Sequence, residues 1–251
     1  MSRVHSAEEI KDAIYARQRE AIGDFHFGEE TSAVFDDMLD RSVPFYQEIQ
    51  RMIAELAAEF AQPHTCVVDL GCSTGTSILL LGNAIPRETP VRFVGIDSSP
   101  EMLDKARVKL AASGFDRDVE LRLGDLNQGV FFENASVVLL VLTLQFVRPL
   151  YRERLVKMIC DGLVPNGCLL LVEKTLGESS TLNRLYIKKY YEMKKRNGYS
   201  DLEIGQKREA LENILIPYRL QENRELLSRV GFSQADVFFQ WYNFCAMVAV
   251  K

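Results

Sequence analysis

The sequence predicts an α/β fold: a doubly wound, mostly parallel, seven-stranded sheet, with helices before it and a helical insertion ahead of a closing β-hairpin. Three observations carry this. Five short apolar runs alternate with helix-like stretches between residues 65 and 175. Those runs are apolar along their length, the mark of strands buried on both faces of a sheet. Two further runs, DVFFQWY (236–242) and NFCAMVAV (243–250), follow one another without room for a helix, so they pair antiparallel. Crossovers between parallel strands are almost always right-handed, which leaves the doubly wound arrangement.

Residues 1–62 read as helices. Ile10, Ile14 and Ala21-Ile22 recur at helical spacing, as do Val34, Met38 and Leu39, and then Ile49, Met52, Ile53 and Leu56. Pro44 is placed to open the third of these helices, where its missing N–H costs nothing. The core, 65–175, holds the strands CVVDL (66–70), VRFVGID (91–97), VELRLGD (119–125), ASVVLLVL (135–142) and GCLLLVEK (167–174). Helices fall between them near 75–85, 100–113 and 149–163. Residues 176–230 read as an insertion of two or three helices, and 234–251 as the hairpin. Without an internal repeat or a flexible linker, the 251 residues are expected to form one domain.

Composition narrows the function. Lys and Arg number 30 against 35 Asp and Glu, a net charge of −5, which argues against direct nucleic-acid binding. No apolar run approaches the roughly 18–20 residues that a bilayer span needs, and the start MSRVHSAEEI lacks the apolar core of a secretory signal. Five dispersed cysteines with no CxxC pair speak against a metal cluster or a disulfide framework. A cytoplasmic protein with no metal and no membrane partner is expected.

The chemistry concentrates at the strand ends. The first strand runs into VVDLGCSTGTS, with Asp69 two residues before Gly71, and then Gly75. A glycine at a strand-to-helix turn lets the backbone approach a ligand. The spacing differs from the GxGxxG that holds a pyrophosphate, and an acid beside the turn repels phosphate but pairs with an ammonium. That favours S-adenosylmethionine over NAD. The second strand ends at Asp97, placed to accept both ribose hydroxyls, although Asp97 is also a candidate helix cap beside Ser98, Ser99 and Pro100. The third ends at Asp125, near an expected adenine amino group, or else a plain turn residue. Three acids at three successive strand ends, in the right order, form a ligand-site constellation.

Here the residues resemble the class I S-adenosylmethionine-dependent methyltransferases, and more specifically the carboxy-S-adenosyl-L-methionine synthases. The resemblance runs from about Phe27 to Val250 and rests on RSVPFY (41–46), DLGCS (69–73), GIDSSPEM (95–102), ENASVVLL (133–140), TLQF (143–146), RNGYS (196–200) and DLEIGQKREALEN (201–213). It implies that S-adenosylmethionine and prephenate become carboxy-S-adenosylmethionine and phenylpyruvate, through a sulfonium ylide that captures carbon dioxide. It implies that the product is later used in carboxymethylating a tRNA wobble uridine, and that the protein is a homodimer. Cofactor contacts are implied for Tyr46, Gly71, Cys72, Ser73, Asp97, Ser98, Asp125 and Leu126, and contact with the new carboxylate for Arg208, the residue implied as catalytic.

Residue chemistry supports part of this. Ser200 and Glu203 have capping-box spacing, so a helix starts there. Arg208 then shares the stripe of Ile204, Leu211 and Leu215, where its guanidinium needs an anion; Glu212, one turn on, is the alternative to a ligand. Tyr46 has a core-aromatic alternative. Cys72 is expected to act through its backbone. One departure stands out: the family reads LNFTLQF where this chain has LVLTLQF, so Val141 replaces a cofactor-contacting asparagine. A conventional methyltransferase acting on a small molecule is the competing reading, and a cofactor-binding protein without turnover is a third.

Overall fold

A computed structural model describes residues 11–251. Seven strands form one sheet in the order β3-β2-β1-β4-β5-β8-β7. The ranges are β1 Thr65–Leu70, β2 Val91–Asp97, β3 Val119–Leu123, β4 Ala135–Val141, β5 Leu163–Leu176, β7 Gln234–Trp241 and β8 Phe244–Val250. An eighth, two-residue strand, β6 (Tyr218–Arg219), pairs with β5 beyond this path. Pairings from β3 to β5 are parallel, and β8 runs antiparallel to both β5 and β7. The expected sheet and closing hairpin are both present. The hairpin turns at Tyr242-Asn243, where Tyr242 takes a φ of 42°.

Period-two alternation sorts the strand residues onto two faces. On one side Val68, Leu70, Val138, Leu140, Leu169 and Leu171 pack with α5 (Pro149–Gly162) and α8 (Leu220–Val230). On the other, Val67, Phe93, Val137, Leu139, Cys168 and Leu170 pack with α2 (Tyr46–Phe60), α3 (Thr76–Ala84) and α4 (Pro100–Ala112). Both faces are dry, which explains why these strands read as continuous apolar runs. The strand order reverses between β1 and β4, and their diverging loops open a crevice at the carboxyl edge.

The insertion resolves into α6 (Ser180–Arg196), α7 (Asp201–Leu211) and α8. The predicted capping box on α7 is formed: the Ser200 hydroxyl accepts from Glu203 N–H, and the Glu203 carboxylate accepts from Ser200 N–H. Among the described residues no helix is long and apolar enough to cross a membrane.

The amino-terminal reading needs correction. Helices do form at α1 (Glu29–Ser42) and at α2, but residues 11–28 contain no helix, and Ile10 lies outside the described residues. Instead the segment runs as a strap across α1 and α7. Side chains there take over the hydrogen bonds a helix would have made internally. Asp12 N–H donates to Asp37 Oδ2 at 2.6 Å, Gln206 Nε2 donates to the carbonyls of Tyr15 and Arg17 at 2.9 Å each, and Gln206 Oε1 accepts from Arg19 N–H at 2.8 Å. Tyr15 and Phe25 are buried with Phe35, Met38 and Ala210. Pro44 also falls short of its expected place, because α2 begins two residues later, after Phe45 in a left-handed turn (φ 53°).

Gln206→Ala therefore removes three strap contacts at once, about 2 kcal/mol of net hydrogen bonding. Tryptic cleavage after Arg17 and Arg19 should accelerate about tenfold or more, since cleavage follows the open population. An unchanged rate would show that other contacts hold the strap.

Candidate active site

The crevice contains a partly enclosed cavity of about 340 Å³. Its floor is the β1–α3 turn. Gly71, Ser73 and Gly75 alternate in left-handed conformation, with φ of 78°, 48° and 79°. The amides of the turn are taken up by the end of β2. Gly71 and Cys72 donate to the Ile96 carbonyl at 2.7 and 3.1 Å, and Ser73 N–H donates to Asp97 Oδ2 at 2.9 Å. Asp97 Oδ1 accepts from Ser99 N–H at 2.9 Å. Helix α4 is capped by Ser99, whose hydroxyl accepts from Met102 N–H, with Pro100 in the first turn. Asp97 is thus not the cap but a brace between two loops. Burial raises its pKa, and the amides of Ser99, Ser73 and Ser98 pull it back in part.

All eight residues to which the resemblance gives cofactor contacts line this cavity: Tyr46, Gly71, Cys72 and Ser73, then Asp97, Ser98, Asp125 and Leu126. Asp125 is a turn residue as well, accepting from Asn127 N–H and Nδ2 at 2.9 and 3.0 Å. Burial works against its ionisation, but the Asn127 and Gln128 hydrogen bonds prevail and lower its pKa. Tyr46 joins core and wall, its hydroxyl accepting from Gln50 Nε2 at 3.0 Å. Burial raises the Cys72 thiol well above its ordinary value, with Asp69 and Asp97 adding to the effect, so the thiol stays protonated. Asp69 lies behind the turn, fully buried, with Oδ1 unpartnered. Burial raises its pKa to about 7.

Arg208 does not join them. It is exposed, and outside the cavity wall. The expectation that it lies on the buried stripe is corrected: α7 buries Ile204, Gln206, Lys207 and Ala210. Among the described residues it forms no ion pair with Glu212 either. Docking of Gln206 and Ala210 against the strap sets the rotation of the helix, and one residue's turn of about 100° carries Arg208 to solvent. Lys207 reaches the cavity in its place.

Sequence reasoning also missed Lys174 and Tyr190 in the wall, and Phe25 and Phe27 of the strap. Val141, the departure from the family pattern, is a wall residue too. The β4–α5 turn beside it, Leu144–Phe146, is held from below by Glu173. That carboxyl is fully buried, with Oε1 unpartnered, and burial raises its pKa to about 8 against the pull of Arg152 and of the amides of residues 143–145.

Two outcomes are expected. A Cβ on Gly71 would meet Thr143 Oγ1 at 2.5 Å and Cγ2 at 2.6 Å, besides straining a positive φ. Gly71→Ala should lower S-adenosylmethionine affinity at least tenfold by calorimetry, with partial recovery in Gly71→Ala/Thr143→Gly. For Glu173, an unfolded carboxyl ionises near pH 4 (about 4.3) and the folded one at about 8. The folded state therefore holds the extra proton in between, and stability falls as pH rises through that window. Urea midpoints of Glu173→Gln should gain on the wild type from pH 5 to pH 8; parallel curves would contradict the raised pKa.

Comparison with known proteins agrees with this architecture. Residues 67–167 match the family model described as a methyltransferase domain. A carboxy-S-adenosyl-L-methionine synthase from Methylococcus capsulatus is 61% identical over 96% of this chain and 99% of its own. One from Desulfotalea psychrophila is 44% identical over 96% of this chain and 97% of its own. Among solved structures, an O-methyltransferase family protein from Burkholderia thailandensis, 17% identical, superposes with a TM-score of 0.65 over 90% of this chain and 64% of that one; it shares the class I methyltransferase fold. With identity of that extent across nearly the whole of both sequences, the chain belongs to the carboxy-S-adenosyl-L-methionine synthase family.

Proposed function

We propose that the protein converts S-adenosylmethionine and prephenate into carboxy-S-adenosylmethionine and phenylpyruvate, the product serving as carboxymethyl donor for tRNA wobble-uridine modification by a separate enzyme. One observation carries the reading beyond kinship: the turn that would hold the cofactor opens into a cavity walled chiefly by apolar groups. Phe27, Phe35 and Met38 cover it from the strap and α1, while Leu142, Phe146 and Phe244 close it from the sheet. A sulfonium ylide, a carbanion beside a cation, is lost to any water that can protonate it, and such walls exclude water.

The atoms balance as follows. The activated methyl group gives up a proton and becomes the ylide carbon. Prephenate loses its ring carboxylate as carbon dioxide, the bonding pair aromatises the ring, and the ring hydroxyl leaves. Proton and hydroxide make water, and the ylide carbon bonds to the carbon dioxide. In this scheme the Gly71–Gly75 turn positions the methionine end, Asp97 the ribose and Asp125 the adenine. Asp97 would exchange part of its hydrogen bonding to the turn for the ribose hydroxyls.

A homodimer working in the cytoplasm, without a metal, is part of the same proposal. Conventional methyl transfer to a small molecule is the second reading, favoured by one observation: Val141 places a methyl-bearing wall where the family has an amide.

Mass analysis of a reaction with both substrates tests the proposal. A cofactor-derived product one carboxylate heavier, with phenylpyruvate in equal amount, is expected; S-adenosylhomocysteine alone would support the second reading. The role inferred for Arg208 is tested in the same system. Arg208→Ala should bind carboxy-S-adenosylmethionine at least tenfold more weakly and S-adenosylmethionine as the wild type does. Equal affinities would remove that role from Arg208, in keeping with its exposed position outside the cavity wall.

A further inference from the structure

Charge is segregated within the cavity. Its acids, Asp97 and Asp125, stand at the ends of β2 and of the β3 loop, whereas its cations, Lys174 and Lys207, come from β5 and α7. Lys207 is 7% exposed, and its ammonium makes no hydrogen bond among the described residues. The nearest carboxylate is Asp12 of the strap, 3.7 Å away and already accepting from the Tyr199 hydroxyl at 2.5 Å. Lys194 stands beside it, 4% exposed, with its ammonium 4.9 Å from the Tyr199 ring centre and 5.8 Å from that of Tyr190. Lys174 also approaches Tyr190, its ammonium 4.7 Å from that ring centre.

Three ammonium groups thus share two tyrosine rings with a single buried carboxylate. Other charges nearby are already committed. Arg41 of α1 pairs with Asp37 at 3.1 Å and stacks on Tyr199, and Glu203 closes the cap of α7. Three positive charges against one negative leave two uncompensated in a buried setting, which is costly unless an anion joins them. The cofactor does not match this need at its reacting end, because the sulfonium is itself a cation. Burial bears on each lysine in the same direction, lowering Lys174 and Lys207 to about 8 and Lys194 to about 7, with the mutual repulsion of the lysines contributing for Lys194. A bound dianion would reverse that shift.

We propose that Lys174 and Lys207, backed by Lys194, form the subsite for a dianionic co-substrate, holding its two carboxylates on the side of the cavity away from the strand-end acids. The subsite deepens the synthase reading and rests on it, since prephenate is a dicarboxylate. Its aromatic setting suits the substrate's ring: Tyr190 and Phe244 line the wall with their centres 5.3 Å apart.

The test uses the full chain, with wild type, Lys174→Met, Lys207→Met and Lys207→Arg. Methionine keeps the length of the stem and removes a buried charge, so thermal midpoints should hold or rise. The KM for prephenate should increase at least tenfold in each methionine variant, while calorimetric affinity for S-adenosylmethionine alone stays within twofold. Lys207→Arg should recover most of the loss. It should also flatten the rise of KM above pH 8 that is expected of the wild type as its lysines deprotonate; Asp12, Asp37, Arg41, Glu203 and the two tyrosines are common to both proteins. A prephenate KM within twofold of wild type in both methionine variants would overturn the subsite. Loss of S-adenosylmethionine affinity would also overturn it, assigning the lysines to the methionine carboxylate. Failure of the wild type to form any carboxylated product would instead sink the synthase reading itself.

Discussion

The Asp97 carboxylate braces the site. It takes the Ser73 amide with one oxygen and the Ser99 amide with the other, so the β1–α3 turn and the start of α4 become one rigid rim. Without that brace the left-handed residues of the turn would have little to hold them, since each such conformation at a non-glycine position carries strain. The brace is strong because it is buried, where a hydrogen bond to a charged acceptor exceeds its worth in water. Burial also raises the cost of the charge itself, which explains why its pKa lies above that of a free carboxyl.

From that rim the rest of the site follows by packing. A polar latch of Asp36, Thr74 and Lys109 ties α1 to the turn and to α4, with Lys109 2.6 Å from Asp36. Helix α1 then carries the strap, and the strap docks α7 through Gln206 and Phe25. The far wall of the cavity, including Lys207, is therefore placed by contacts that run through the strap. Its charges are opposite to those of the rim, so one cavity offers acids to a cationic ligand and ammonium groups to an anionic one.

Much of this was legible in the sequence. β2 occupies the predicted residues 91–97, and α4 and α5 each end within one residue of expectation. Part of the cavity lining was legible too: Gly71, Asp97 and Asp125 line it, as turn and strand-end signals read locally, whereas Asp69 and Gly75 do not. Residues 11–28 show the limit. Ile14 and Ala21-Ile22 have helical spacing, but Tyr15, Phe25 and the carbonyls between them find partners on α7, 191 positions away for Gln206 and Tyr15. A helix there would have forfeited those contacts, and periodicity carries no information about them.

The sequence by itself determined the α/β class, the order of strands and helices, and which residues meet at the carboxyl edge, because hydrophobic period and turn chemistry are written locally. Tertiary structure alone decided which cation lines the cavity. Helical spacing alone serves Lys207 and Arg208 alike, for they follow Ile204 by three and four residues. Only the rotation of α7, set by the strap packed against it, turns Lys207 inward and leaves Arg208 in solvent.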